Sequence, residues 1–492
     1  MMAFPLLSLI VFVPVAGAAV VMLLRSDETV RWAALGFTLL DVALAIAMLS
    51  GFNTGSSEMQ FVEKHPWVPA LGITFALGVD GISALFVFLT ALLGSVSVLA
   101  SWVAIDRKVK QFMVCLLAMQ TLMLGVFTAL DLFLFYVCWE AMLIPMYLII
   151  GVWGGDGRVY AAFKFFLYTL AGSLLFLIGV IVLYFEGGRT FDILALMALD
   201  LPFDIQSWLF FAFLVAFAVK VPMVPLHTWL PDAHVQAPTA GSIILAGVLL
   251  KMGAYGFLRF SLPMLPEASV YYSTLMMALS ALAIVYGGLL ALAQDDLKKL
   301  VAYSSISHMG FVTLGIFALN PLGLQGSILQ MFNHGVTTGA LFLFVGLIYE
   351  RTHTRSIADY GGLMKVAPVY TGFLALFVLS SMALPGTNAF EGELLVLSGG
   401  FAANLTLGAV AVLGALLSAA YLLGMYRKVA LGPATVGARF KVRDVNGREL
   451  VAILPLAVFV LWVGFYPKPF LAIIDSSVTH LLQQVHDRGN GP

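Results

Sequence analysis

The sequence predicts an all-α polytopic membrane protein of about fourteen transmembrane helices, on three observations. Of the 492 residues, 61% are hydrophobic and only 10% are charged, where a soluble domain carries about 25%. Apolar runs of about twenty residues, the length that crosses a bilayer core, recur along the whole chain. Arginine and lysine collect in alternate loops, as in a multi-pass protein. So few charges cannot cover a water-facing surface, and no long stretch returns to soluble composition. A net charge of −1 gives no electrostatic case for nucleic acid.

The first run, 4–24, has no basic segment before it and leads directly into another apolar run. It reads as a retained helix, not a cleaved signal. With 30–51 and 80–104 it forms an N-terminal group over residues 1–110. Runs 111–128, 131–151, 162–185, 207–221 and 240–260 make a second group, over 111–260. Runs 271–293, 300–318, 323–349, 369–390 and 402–426 make a third, over 261–430. A final span, 450–467, and a tail, 468–487, that reads as a short amphipathic surface helix complete the chain over 431–492.

Two runs are broken. The seventh runs into Lys220-Val221-Pro222-Met223-Val224-Pro225, the twelfth into Ala383-Leu384-Pro385-Gly386. Proline removes a helix hydrogen bond and clashes with the preceding turn. Carbonyls freed at membrane depth are tolerated only inside protein or beside a hydrated cavity. Breaks in the fourth helix of both five-helix groups point to two inverted repeats and an ion site. The groups share no strong identity, so the repeat rests on hydropathy and the paired breaks.

Charge placement supports the count. With both termini outside, inner segments hold 17 of the 25 lysines and arginines, among them Arg107, Lys298, Arg351, Arg355 and Lys441. Outer segments hold 5, namely Lys64, Arg189, Arg259, Lys468 and Arg488, which is a positive-inside bias. The remaining three, Lys164, Lys220 and Lys251, lie within or at the edge of apolar runs.

Ionisable residues inside the membrane are the candidate site. A charge at the bilayer centre costs about 2.5–3.5 kcal/mol on insertion scales, so several together need partners or water. Glu140 lies midway along run five, Lys220 at the break of run seven, and Lys251 midway along run eight. His308 and His334 lie in runs ten and eleven, and Glu393 follows the break of run twelve. A Glu140–Lys220 pair would hold Lys220 protonated, and weakening it would release the proton toward Lys251. Histidine relays protons because its ordinary pKa is near 6.5. Bland readings stand beside these. Glu140 and Lys220 could form a static ion pair, the histidines could be satisfied core residues, and Lys164 could snorkel to the membrane surface. Glu391 blurs which carboxylate matters near Glu393, and Asp41 and Asp131 read as structural. Cys115 and Cys138 sit in apolar runs without a CxxC or Cys/His cluster, and no Gly-rich dinucleotide fingerprint is evident.

Three stretches carry a resemblance. They are Lys220 to Gly241 (KVPMVPLHTWLPDAHVQAPTAG), Ala246 to Gly256 (AGVLLKMGAYG) and Gln294 to Gly310 (QDDLKKLVAYSSISHMG). They resemble the antiporter-like membrane subunits of respiratory complex I, and among these the chain M (mitochondrial subunit 4) family. The PDAHVQAPT run at 231–239 and a glutamate at 393, where the sister chains L and N usually place lysine, favour chain M. The resemblance implies proton translocation by Glu140, Lys220, Lys251 and Glu393, with His308, His334 and Lys164 as relays. It implies no cofactor in this chain, with NADH, FMN, iron–sulfur clusters and quinone in partner subunits. It implies sister chains L and N as neighbours and a bacterial inner membrane as the location. Glu391 is not part of the family pattern. Competing readings are a subunit of an Mrp-type cation/proton antiporter, a non-transporting scaffold, and a subunit of a related membrane-bound hydrogenase.

Overall fold

The computed structural model describes residues 4–432, 439–440 and 442–489; Lys441, counted above with the inner loops, lies outside them. Among the described residues, 13 helices are long and apolar enough to cross a membrane. They are α1 (Leu6–Leu23), α2 (Asp27–Ser50), α3 (Ala84–Ala104), α4 (Val109–Thr128), α5 (Leu132–Trp153), α6 (Arg158–Glu186) and α7 (Phe203–Lys220). After these come α8 (Thr239–Met264), α9 (Ser273–Leu292), α10 (Leu297–Phe317) and α11 (Pro321–Thr352). The twelfth passage is made in two pieces, α12a (Pro368–Ser381) and α12b (Asn388–Ala403). Then follow α13 (Leu405–Leu431) and α14 (Gly447–Phe465). The tail is the amphipathic helix α15 (Lys468–Gly489), whose buried face includes Phe470, Ile474, Val478 and Leu482. Among the described residues, these 13 helices and the two-piece passage make fourteen candidate crossings, the number the hydropathy predicts.

Burial sorts the helices. The apolar windows of α8 and α11 are 100% buried and those of α3 and α10 94%, so these four form the centre. The windows of α1, α2, α6 and α13 are only 33–39% buried, leaving apolar side chains such as Phe163, Ile178 and Leu416 for lipid or neighbouring subunits. The central four carry Lys251, His308 and His334.

Both proline breaks are present. At α7, Pro222 cannot donate to Ala218, and the Met223 N–H takes that carbonyl at 2.8 Å. The Trp229 indole N–H donates to the Val219 carbonyl at 2.9 Å. A short helix, α7b (Trp229–Gln236), then resumes the passage. At α12 the chain passes through Ala383 (φ +57°) and Gly386 (φ +89°). The second value is a left-handed conformation that favours glycine. A third irregularity escapes the hydropathy reading. Helix α5 is interrupted at Met142, two residues after Glu140, where Pro145 cannot donate to Ala141.

The all-α expectation omits one feature. Strands β1 (Gln60–Val68) and β2 (Ile73–Val79) form an antiparallel hairpin between α2 and α3. Its Glu63 carboxylate accepts the N–H groups of Leu7 (2.8 Å) and Ser8 (3.1 Å), satisfying donors that the first turn of α1 leaves orphaned.

Loop contacts segregate into two sets. On one face Arg31 bonds the Ile105 carbonyl, Arg107 that of Val152, and Arg355 that of Val235, while Arg351 pairs with Glu449 at 2.6 Å. On the other, Lys64 pairs with Asp192 at 2.6 Å, Gln325 bonds Asp475, and Ser476 bonds the Thr54 carbonyl. These are the loops that the charge pattern assigns to opposite sides. Two basic residues differ from that assignment in detail. Lys298, counted as an inner-loop charge, is only 8% exposed on the first turn of α10, and Arg259, counted as outer, is buried against Asp80 at 2.5 Å. Both long side chains find a buried acceptor, which a loop-counting rule cannot foresee.

Candidate functional site

The structure brings four of the singled-out residues into one buried line. Lys251 is fully buried, and its ammonium lies 2.6 Å from His334 Nδ1 and bonds the Ala246 carbonyl. That carbonyl belongs to a π-helical turn, Leu245–Leu249, and a second such turn, Phe257–Ser261, follows Lys251. Such turns inside α-helices concentrate at functional sites. Close approach of α8 to α11 makes the contact possible. A Cβ on Gly335, beside His334, would lie 2.8 Å from the Gly247 carbonyl, so only glycine fits.

The His334 and His308 rings are 5.9 Å apart between centroids. His334 Nε2 has no hydrogen-bond partner. His308 Nδ1 lies 3.0 Å from Glu393 Oε1, and its Nε2 faces Ser381 (3.3 Å) and Tyr421 (3.4 Å). Gln330 donates to the same Glu393 oxygen at 3.1 Å. The order is therefore Lys251, His334, His308, Glu393, with one gap that a ring rotation or a water would bridge. Glu393 is 2% exposed, whereas Glu391 is only partly buried and makes no hydrogen bond to this line. The helical turn separates the two carboxylates that the sequence left blurred.

Glu140 and Lys220 differ from the expected pair. No ion pair joins them. Lys220 is 2% exposed, its ammonium has no hydrogen-bond partner, and it sits 4.9 Å from the centre of the Trp139 ring. Glu140 Oε1 is likewise buried and unpartnered. The kink of α5 at Met142 and the end of α7 at Lys220 hold the two within electrostatic reach but out of contact. Lys164 stands apart from the line. It pairs with Asp232 at 2.7 Å at the periphery, with 20% and 41% of the two side chains exposed. Asp41 is fully buried and accepts from Gln120 at 2.5 Å, and Asp131 caps α5 while accepting from Thr74 at 2.8 Å, so both tie elements together.

Sequence reasoning missed other polar residues at the centre. His234 is fully buried, stacked on Phe342 at 4.3 Å, and both its ring nitrogens lack partners. Its place inside the PDAHVQAPT run was the available signal. Around the break of α12, Asn333 donates to the Asn388 carbonyl at 2.6 Å and Ser380 donates to the Asn388 side chain at 2.5 Å. Neutral amides and hydroxyls do not stand out in a search for charge. Among the described residues no three His, Cys, Asp or Glu side chains converge as metal ligands.

Comparison with known proteins fixes the family. Residues 129–418 match the family described as NADH:quinone oxidoreductase/Mrp antiporter, transmembrane. The chain is 48% identical over 500 residues to the NADH-quinone oxidoreductase subunit M of Rhodobacter capsulatus, covering 98% of this chain and 97% of that one. The chain belongs to the subunit M family of NADH-quinone oxidoreductase. The Arabidopsis thaliana NADH-ubiquinone oxidoreductase chain 4 is 44% identical over 97% of each chain. A chain of respiratory complex I from Thermus thermophilus has the same fold, with TM-score 0.86 and 34% identity over 97% of this chain and 99% of that one. A chain of an archaeal membrane-bound sulfane sulfur reductase follows at TM-score 0.84 and 26% identity, covering 94% and 76%. The Mrp complex of Dietzia, at 24% identity and TM-score 0.83, shares the fold over 98% of this chain and 55% of its own. The subunit M family is thus a multi-pass membrane component of complex I, and the Mrp-type reading is the weaker one.

Proposed function

We propose that this subunit translocates protons, and that Glu140, Lys220, Lys251, His334, His308 and Glu393 carry or control them. The observation that supports this best is the run Lys251–His334–His308–Glu393, four ionisable side chains buried at the centre of the bundle and joined by two hydrogen bonds with a single gap. A lysine or carboxylate buried without need is destabilising, and groups of this kind in membranes mark ion and proton paths.

Glu140 and Lys220 act as the control. In the arrangement described, Lys220 has no carboxylate contact. A movement of the kinked α5 or broken α7 that closes the gap would hold a proton on Lys220; reopening it would release that proton toward Lys251. Moving one charge against 100 mV costs about 2.3 kcal/mol. A pKa change of two units is worth about 2.7 kcal/mol, so modest tuning matches the task.

The energy comes from quinone reduction in partner subunits that hold NADH, FMN, iron–sulfur clusters and quinone. The sister subunits L and N are the neighbours in the membrane. Groups 111–260 and 261–430 form inverted repeats that meet at the Lys251–His334 contact. The arginine-bearing face is cytoplasmic in a bacterial inner membrane, with both termini on the other side.

Replacing Glu140 with Gln and Lys220 with Ala tests the reading. The assembled complex should keep its subunits and lose most proton pumping. Full assembly with undiminished pumping in both variants would reduce the chain to a scaffold.

A further inference from the structure

A cavity of about 390 Å³ opens on the outer face, opposite the arginine-bearing one, between the hairpin end, α8 and α15. It is roomy enough for several waters. Its wall includes the exposed Glu58 and His480 and, deeper, Asp80 and Arg259, which are 3% and 5% exposed. Arg259 Nη2 donates to Asp80 Oδ1 at 2.5 Å, and that oxygen also accepts the N–H groups of Ile82 and Ser83, each at 3.1 Å, at the start of α3. The proton-carrying reading leaves this pair unused. Replacing a buried ion pair by apolar residues is often neutral or stabilising, so stability alone gives no reason for one here.

Arg259 belongs to the helix that carries Lys251. Lys251, Tyr255 and Arg259 are spaced four residues apart and share one stripe of α8. Eight residues of helix put Arg259 about 12 Å outward of Lys251. Side chains on a helix lean back over the preceding turn. Arg259 accordingly lies over the Tyr255 ring, 5.3 Å from its centre, and its Nε donates to the Tyr255 oxygen at 3.1 Å. Phe127 and Phe135 pack against the Tyr255 ring at 5.3 and 6.4 Å between centroids, which keeps its surroundings apolar. Among the described residues the Tyr255 oxygen has no other hydrogen-bond partner. From the cavity inward the polar groups therefore run Asp80, Arg259, Tyr255 and Lys251.

We infer that Arg259 is the stopper that keeps protons in the outer cavity from running back to Lys251, with Asp80 as the positioning residue that holds it there. The inference rests on the proton-carrying reading above. Pumping enriches the outer side in protons, so any hydrogen-bonded path from the cavity to Lys251 would return them. A proton hops onto a group only through a free lone pair. A guanidinium offers five N–H donors and no acceptor, and it keeps its own protons because its pKa exceeds about 12. Asp80 can take a proton from cavity water, but Arg259 cannot accept it onward. Its Nε also occupies the Tyr255 oxygen, the next atom inward that could receive one. The negative charge of Asp80 offsets the positive charge of Arg259, so the block lies in the missing lone pair and not in repulsion.

Asp80→Asn and Arg259→Gln made together remove both charges without stranding either, and place an amide oxygen that accepts where the guanidinium only donates. The whole complex is set in liposomes with the cavity face outward and no NADH present. A potassium diffusion potential through valinomycin then draws protons inward, read by a pH-sensitive dye in the lumen. The wild type should stay within about twofold of protein-free liposomes, and the double variant should leak at least tenfold faster. Adding Tyr255→Phe, which deletes the accepting oxygen, should restore the wild-type rate; a purely structural pair predicts no such rescue. Should the double variant not assemble, Arg259→Lys keeps a cation on Asp80 but has one nitrogen where the guanidinium uses two, and should leak at least twofold faster. An assembled variant as tight as wild type, or a leak that Tyr255→Phe does not close, would overturn the stopper. Lys251→Met separates the two ideas. If it stops pumping while the Arg259 variants stay tight, the stopper falls and the buried line stands; if it pumps as the wild type does, the proton-carrying reading falls and takes the stopper with it.

Discussion

Glu391 and Glu393 are two residues apart and face different surroundings. Only Glu393 touches the buried line, through His308 at 3.0 Å and Gln330 at 3.1 Å. Glu393→Gln should therefore reduce pumping severely, whereas Glu391→Gln should leave it close to wild type, as pumping measured in membrane vesicles would show. Lys164 is a similar contrast. Its partly exposed pair with Asp232 is worth about 1 kcal/mol or less, so Lys164→Ala should barely change the heat stability of the isolated complex. The Asp80–Arg259 pair is different because both partners are buried, at 3% and 5% exposure. Asp80→Asn strands the Arg259 guanidinium and should cost about 3–5 kcal/mol, read as a clear drop in thermal midpoint. Charge in apolar context made Glu140, Lys220, Lys251 and Glu393 legible from the sequence. The separation of Glu140 from Lys220 was not legible, because whether two side chains on different helices touch has no sequence signature.

At the level of helices, prolines wrote the two breaks into the sequence, and the structure has them at Lys220 and Ser381. The kink of α5 was overlooked because Pro145 lies within a run with no other breaker. The hairpin at Gln60–Val79 was overlooked because an amphipathic loop between two apolar runs gives no hydropathy peak. The contact between α8 and α11 depends on Gly247 and Gly335. Gly335→Val would meet the Gly247 backbone and Leu89, so the helices must part. Overpacking of this sort costs about 1–3 kcal/mol, and the same displacement lengthens the 2.6 Å contact of Lys251 with His334. The expected outcome is an assembled complex of lower thermal stability whose pumping falls further than Leu89→Ala reduces it.

Across the whole molecule, two sets of loop contacts on opposite faces support an even number of crossings. Single cysteines at Arg443 and Lys64 should therefore react with an impermeant reagent from opposite sides of the membrane. Labelling of both from one side would refute the topology. The sequence by itself determined the membrane class, the number of crossings and the kinds of ionisable residue sunk in them, because hydropathy and charge are sums over local composition. Only the tertiary structure decided that Lys251, His334, His308 and Glu393 follow one another. It alone turned Glu391 away. Those facts depend on how helices far apart in the chain rotate and approach, which packing of glycines, prolines and apolar faces fixes and no single segment encodes.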